Sequence, residues 1–527
     1  MIRINIRIVI FALKYLFLPN LLFAIYFYKK NRHGLHILQL ENYYNDRYLA
    51  WMKNNLKTVF DVKAIGLLII PMIVMYLFNF RLGFWLNIIA YLTLIFTSKR
   101  PKEKKPFVAT SRINRMAVTY AIMILAICYI SMLYGIYIAN ICAIFAYVFV
   151  YIVNLINRPV EKAIRAGFCR KATKNLESIK GLEVVGITGS YGKTSTKHIV
   201  NTILSQKYNT LMTPESYNTT MGVVRTVNEK LSRTDNLFVC EMGAKYVGDI
   251  KEICDIVHPT YGIVTAIGEQ HLETFKSLDN IRKTKLELVD SLPEDKGIAF
   301  VNWEDENIRN SKISKNMVKY GLSKEADYYA TNIEITERGS NFDVVIPGKE
   351  PISIKTKLLG NLNILNIVGA VAVADKLGLT EEQIKTGAKY IKPVTHRLEL
   401  KPNPNGSIII DDAYNSNIRG AKMALEVLKN FKNRRRILIT PGIVDLGDKA
   451  FEINKELGKA AASSCDFAIL VGNKPAEPIY AGLKEENYAE EKIFIAKDLE
   501  EALVKMNQIM DSTSVILLEN DLPDNYL

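Results

Sequence analysis

The sequence predicts a multi-domain chain. An N-terminal helical transmembrane region should precede a central α/β domain on a parallel sheet and a Rossmann-like C-terminal α/β domain. Three observations carry this expectation. No charged residue occurs between Met116 and Asn157. Residues 1–175 hold 24 Lys/Arg against 5 Asp/Glu, a net of +19, whereas the remainder holds 44 against 49, a net of −5. From about Gly181 onward, short β-branched runs alternate with helical stretches, the pattern of strand–helix–strand units.

Residues 1–157 contain five apolar segments. Ile8–Tyr28 is the first, interrupted by Lys14 and Pro19. Ala64–Phe80 and Leu82–Thr97 form a hairpin around Arg81, and the charge-free run divides near Tyr134–Gly135 into two more. Each is close to the roughly 20 residues that match the hydrocarbon thickness. The basic stretches KKNRH, SKRPKEKK and Arg158–Lys174 fall on one side. The positive-inside tendency puts that side, and residues 158–527 with it, in the cytoplasm. A multi-pass protein of the cell membrane is expected. No short apolar core with a small-residue cleavage site suggests a signal peptide, and no acid or His at the span centres suggests an ion path. Leu38–Asn55, polar and aromatic, reads as a surface helix on the cytoplasmic side, with a lipid-head-group contact as the alternative.

Residues 158–180 read as a linker helix starting at Pro159 and stopped by Gly181. A central domain is expected over 181–394, with a hairpin-rich insert near 326–358 where residues alternate at period two. From about 395 to 527 the runs IIIDD, RRILIT and FAILVG read as buried strands of a third domain. The net charge of that larger part excludes nucleic-acid binding on compositional grounds. The six cysteines form no close CxxC pair, so buried free thiols are expected rather than zinc or disulfides.

Chemistry first shows in GITGSYGKTSTKH, Gly186–His198, directly after Val184 and Val185. Ile187 stands where a strict GxxxxGK[ST] loop has its first glycine, but the physics of a P-loop survives. Gly189 and Gly192 let the backbone turn its N–H groups, with those of Ser190 and Ser195, toward phosphate oxygens at a helix N-terminus. Lys193 can bridge terminal phosphates and Thr194 can hold Mg²⁺, so ATP with Mg²⁺ is the expected cofactor pair. Downstream, LFVCEMGA ends an apolar strand at Glu241, a natural metal ligand. His271 follows the run IVTAIGEQ, and Lys285 lies in NIRKTKLEL.

These blocks, with SYNTTMGV, EMGAKYVGDI, THRLEL and DDAYNSN, resemble the Mur ligase family, ATP-dependent enzymes that extend peptidoglycan precursors. The resemblance runs from about Gly181 to about Gly472, most closely to the branch that adds D-alanyl-D-alanine to UDP-N-acetylmuramoyl-tripeptide. It implies an amide ligase that activates a carboxylate as an acyl phosphate for attack by an amine. Lys193 and Thr194 would grip the ATP phosphates and a first Mg²⁺. Glu241 and His271 would serve two metal sites, and Lys285 would be carbamylated to steady the second. Arg397 and Asp412 would meet the nucleotide, Asn302, opening a helix, would sit at the adenine, and Asn218 would lie near the γ-phosphate. The implied partners are a cell-envelope precursor with a free carboxylate, UDP-linked or lipid-linked, and an amino acid or D-alanyl-D-alanine as amine.

The sequence also departs from the family. Apolar spans stand where the D-alanyl-D-alanine-adding branch has a soluble UDP-binding domain, which favours a lipid-linked or membrane-proximal acceptor. Leu362 in LLGNLNILN replaces a usual His, and TPGIVDLGDKAFEINKELG differs from the usual strand end. A γ-polyglutamate or folylpolyglutamate type of synthetase is the alternative within the enzyme class. A membrane NTPase with a transport or regulatory role is the alternative outside it.

Overall fold

A computed structural model describes residues 17–98, 106–270, 272–414, 417–444, 446 and 449–520, and divides the chain into two compact units, Met1–Ala166 and Gly167–Leu527.

The first unit is helical. Leu56–Phe78, Phe80–Thr97 and Ser111–Tyr134 are long and apolar enough to cross a membrane. Tyr137–Ile144 and Ala146–Glu177, bent by 80° at their junction, add a fourth if the pair counts as one span. Much of what these helices bury is aromatic, including Phe23, Phe27, Tyr48 and Tyr91. The expected first segment differs from the structure: its residues before 17 lie outside those described, and a helix runs over Leu18–Leu40, straight through KKNRH. Aromatic rings accommodate those charges, with the Lys30 ammonium 6.0 Å from the Tyr26 ring and 5.6 Å from that of Tyr147. Within Leu38–Asn55, residues Asn45–Asn54 are helical and bury Tyr48 and Met52. The linker helix does not start at Pro159 either. That proline lies inside the continuous helix Ala146–Glu177, and the chain turns at Gly181 with φ +76°.

The second unit holds two sheets. The first runs in the order β2-β3-β1-β4-β5-β6-β7-β8-β9, with β1 at Glu183–Thr188, β2 at Thr210–Met212, β3 at Leu237–Glu241, β4 at Tyr261–Val264, β5 at Ile298–Asn302, β6 at Met317–Gly321, β7 at Tyr328–Thr336, β8 at Gly339–Val345 and β9 at Ile352–Thr356. Strands β2 to β6 pair in parallel, so their ladders are slanted and both faces need cover. That is why β1 and β3 read as unbroken apolar runs. Strands β7, β8 and β9 pair antiparallel and carry the period-two stretch. One face packs on Gly360–Lys376, a helix buried almost all round, and on Lys193–Leu204.

The second sheet runs β10-β11-β15-β12-β13-β14, with β10 at Glu399–Pro402, β11 at Ile408–Asp412, β12 at Arg435–Thr440, β13 at Phe467–Val471, β14 at Ile493–Ala496 and β15 at Ser514–Glu519. Only β10 is antiparallel within it. IIIDD, RRILIT and FAILV of the sequence are β11, β12 and β13. The last strand, β15, is inserted between β11 and β12, where its Val515, Ile516 and Leu517 are fully buried.

Candidate functional site

The site begins where β1 stops. Gly189 (φ +153°) and Gly192 (φ +82°) adopt backbone angles that side chains resist. A Cβ on Gly189 would also sit 2.0 Å from the Thr265 hydroxyl. The loop is held from the adjacent strand end. The Ser190 N–H donates to Ala266 O (2.8 Å), its hydroxyl bonds Gly268, and the Thr265 hydroxyl donates to Tyr191 O (2.5 Å). Helix Lys193–Leu204 follows immediately, its N-terminus open at Gly192. Anions are favoured at such a helix end.

Lys193 folds its ammonium back onto Gly189 O (2.7 Å) and Ser190 O (3.3 Å). Burial lowers its pKa to about 8, the Glu241 carboxylate opposing and Arg397 assisting. Glu241 ends β3 with 1% exposure. Its Oε1 accepts from the Thr194 hydroxyl (3.1 Å) and the Asn218 amide (3.0 Å). Its Oε2 lies 3.1 Å from the fully buried Lys197 ammonium and accepts no hydrogen bond. Burial alone would raise this carboxyl's pKa, but Lys197 and Lys193 hold it below the usual range.

Thr194 and Glu241 therefore present hard oxygen donors side by side, one with spare acceptor capacity, and this fits Mg²⁺, which takes few protein ligands and completes its shell with phosphate and water. Among the described residues no three His, Cys, Asp or Glu side chains gather into a metal cluster. His271 lies outside the described residues. Lys285, 2% exposed on helix Leu278–Asp290, has its pKa lowered to about 7 by burial and by Lys193, with Asp249 and Glu287 opposing.

The second sheet contributes the opposite wall. Arg397 stacks 4.5 Å from the Tyr414 ring and is close enough to Lys193 and Asp412 to act on both electrostatically. Asp412 ends β11, accepts from the Leu398 N–H (3.1 Å), and is pushed up to about 6 by burial, with Arg397 opposing. Ser195 lies in the first turn of the helix after the loop. Asn302 corrects the sequence reading: it ends β5 instead of opening a helix, and the short helix Glu306–Arg309 is capped by Asp305. Its amide is committed to Thr265 O (2.7 Å) and the Glu304 N–H (3.0 Å), so it buttresses the loop through Thr265.

Two residues were missed from sequence. Lys197 looks like a solvated helix charge until Glu241 is seen against it. Asn366 lies on the buried helix Gly360–Lys376 with an unpartnered amide nitrogen, its Oδ1 3.4 Å from where a Cβ on Gly192 would be. The signal for it was an Asn recurring inside an Ile/Leu/Val run.

The profile of the Mur ligase middle domain matches residues 187–374, and that of the Mur ligase glutamate ligase domain matches 396–519. The UDP-N-acetylmuramoyl-tripeptide–D-alanyl-D-alanine ligase of Escherichia coli strain K12 is 32% identical over 320 residues, 60% of this chain and 70% of its own length. The chain belongs to the Mur ligase family. The ligase of the same name from Bacillus subtilis strain 168 is 29% identical over 53% of this chain, and the match spans only 60% of that relative. In structure, MurF from Acinetobacter baumannii superposes with a TM-score of 0.61 at 27% identity, covering 68% of this chain and 77% of that one. In this Mur ligase the glycine loop, Glu241 and Lys285 fall in the middle-domain match, while Arg397 and Asp412 fall in the second. Neither match reaches residues 1–186.

Proposed function

We propose that this Mur ligase is an ATP-dependent amide ligase of cell-envelope synthesis that adds D-alanyl-D-alanine to a carboxylate-bearing precursor. Its middle domain would use the glycine loop as a P-loop, its second sheet being Rossmann-like, and its apolar helices would anchor it with the catalytic part in the cytoplasm. The observation that carries the reading is the packing of Lys193, Thr194, Glu241 and Lys197 around one helix N-terminus, in a chain whose relatives bear the names given above.

A carboxylate resists amines until it has a leaving group. Attack of the acceptor carboxylate on the γ-phosphorus forms a C–O–P bond and releases ADP. The amine then forms the C–N bond, phosphate leaves, and the amine gives up a proton. Lys193 and the loop amides would hold the phosphates while charge redistributes. Thr194 and Glu241 would hold a first Mg²⁺, and His271 with a carbamylated Lys285 a second. When bound, Mg²⁺ offsets the negative charge that the phosphates and acceptor bring together. Burial lowers the Lys285 pKa to about 7, which favours the neutral amine, the form that can take up CO₂. Arg397 and Asp412 would complete the nucleotide site from the second sheet as the two approach.

The apolar helices favour a lipid-linked acceptor. The test is ADP release by the detergent-solubilised chain with UDP-linked and lipid-linked muramyl tripeptides, each offered D-alanyl-D-alanine, single amino acids and L-glutamate. D-alanyl-D-alanine with the lipid-linked acceptor should turn over fastest. Equal rates on both acceptors would remove the lipid-linked reading, and a preference for L-glutamate would replace the ligase type.

A further inference from the structure

Asp305 is a fully buried carboxylate in the turn that follows β5. Its Oδ1 caps the helix Glu306–Arg309 at the Ile308 N–H (3.1 Å). Its Oδ2 accepts from the Ile267 N–H (3.3 Å), the Tyr191 hydroxyl (3.4 Å) and the Arg419 guanidinium (3.0 Å). Tyr191 is part of the glycine loop, between Ser190 and Gly192. Arg419 belongs to the other sheet, in the first turn of helix Ile418–Lys429, where Asn417 caps its N–H at 3.1 Å. A second guanidinium nitrogen of Arg419 donates to Glu304 O (3.1 Å), and the group lies 5.9 Å from the Tyr191 ring.

We propose that Arg419 is a positioning residue whose bidentate grip on Asp305 and Glu304 couples closure of the second sheet to the conformation of the glycine loop. The proposal rests on the amide-ligase reading only for the purpose of closure. Among the described residues Arg419 is the one cation paired with Asp305, and it arrives from across the gap. Withdrawing the second sheet would strand a buried negative charge, which is costly. The closed form is thereby favoured, and Tyr191 shares the carboxylate that closure neutralises. Three other side-chain contacts span the same gap: Ser216 Oγ to Tyr414 Oη (2.6 Å), Lys449 to Glu269 (2.6 Å) and Arg434 to Glu337 (3.2 Å). All three are exposed, so water and salt weaken them, and none touches the loop.

The test uses the full chain in detergent with ATP and Mg²⁺, measuring hydrogen exchange by mass spectrometry alongside ADP release. Arg419→Ala should speed exchange tenfold or more in segments 186–193 and 303–310, leave strands β11, β12 and β15 unchanged, and lower kcat tenfold or more. Arg419→Lys, which can reach one acceptor but not both, should recover part of each effect. In an Asp305→Asn background the Arg419→Ala change should add little, because the charge it answers has gone. Loop exchange within twofold of wild type in Arg419→Ala, or equal effects of that change with and without Asp305, would overturn the proposal. Altered exchange with unchanged kcat would overturn its role in turnover. A wild-type chain that releases ADP with no acceptor and amine pair would sink the ligase reading while leaving the exchange result to decide the coupling.

Discussion

Replacing Lys285 by Met removes a buried ionisable group while keeping its length and volume. The folded chain holds this lysine near pKa 7 against an ordinary 10.5. The unfolded chain therefore binds more protons between those values, and stability must rise with pH across that window and flatten above it. Linkage puts the penalty of keeping Lys285 buried at about 4 kcal/mol at pH 7 and about 2 kcal/mol at pH 9. In CO₂-free buffer the wild type should gain about 2 kcal/mol relative to Lys285→Met over those two pH units. Urea unfolding at fixed pH, followed by the emission of Trp303, the one tryptophan of the second unit, measures the difference. Bicarbonate should shrink the pH dependence in the wild type alone, since a carbamate no longer carries the ammonium. A flat difference from pH 7 to 9 would show that Lys285 ionises normally and has no neutral amine to offer CO₂.

Three further outcomes are expected. Lys193→Ala should lower kcat for ADP release by about 10³, the scale of losing one preorganised charge at a reacting phosphate, with folding intact by circular dichroism. Asp412→Asn should flatten the pH dependence of the KM for ATP. In the wild type that KM should climb about tenfold per unit below pH 6 as the raised carboxyl protonates and stops accepting. Asn366→Leu should stabilise the ligand-free protein by about 1 kcal/mol, because a buried amide nitrogen without an acceptor is removed. The same change should weaken ATP binding, read by titration calorimetry; unchanged binding would make Asn366 structural.

What could be read from sequence follows from how local each cause is. β1, the loop and the following helix were legible because glycine spacing, a β-branched run and a helix start are neighbours in the chain. The buried strands of the second sheet were legible for the same reason, as uninterrupted Ile, Leu and Val. Pro159 misled because proline usually opens helices, whereas here the preceding turns are already committed. The helix carries on past the apolar segment's end at Tyr28 and through KKNRH, because Lys30 and Arg32 lie over aromatic rings supplied from Tyr147 and Phe107, which no local pattern shows. Asn302 was placed one element too late, and its partners Thr265 and Glu304 could be seen only in space. The charges of Lys197 and Arg419 are answered by carboxylates distant in the chain, Glu241 and Asp305, so no local pattern marks them.

The position of β15 has a consequence for how the chain is made. A ribosome delivers this strand after every other strand of its sheet, yet it is the one that joins β11 to β12. Until it arrives, two half-sheets face each other across a greasy slot, with the Asp412 end of β11 unbraced. A chain halted just before Ser514 would carry every other strand of this sheet and none of the finished sheet, a product that proteases should clear quickly.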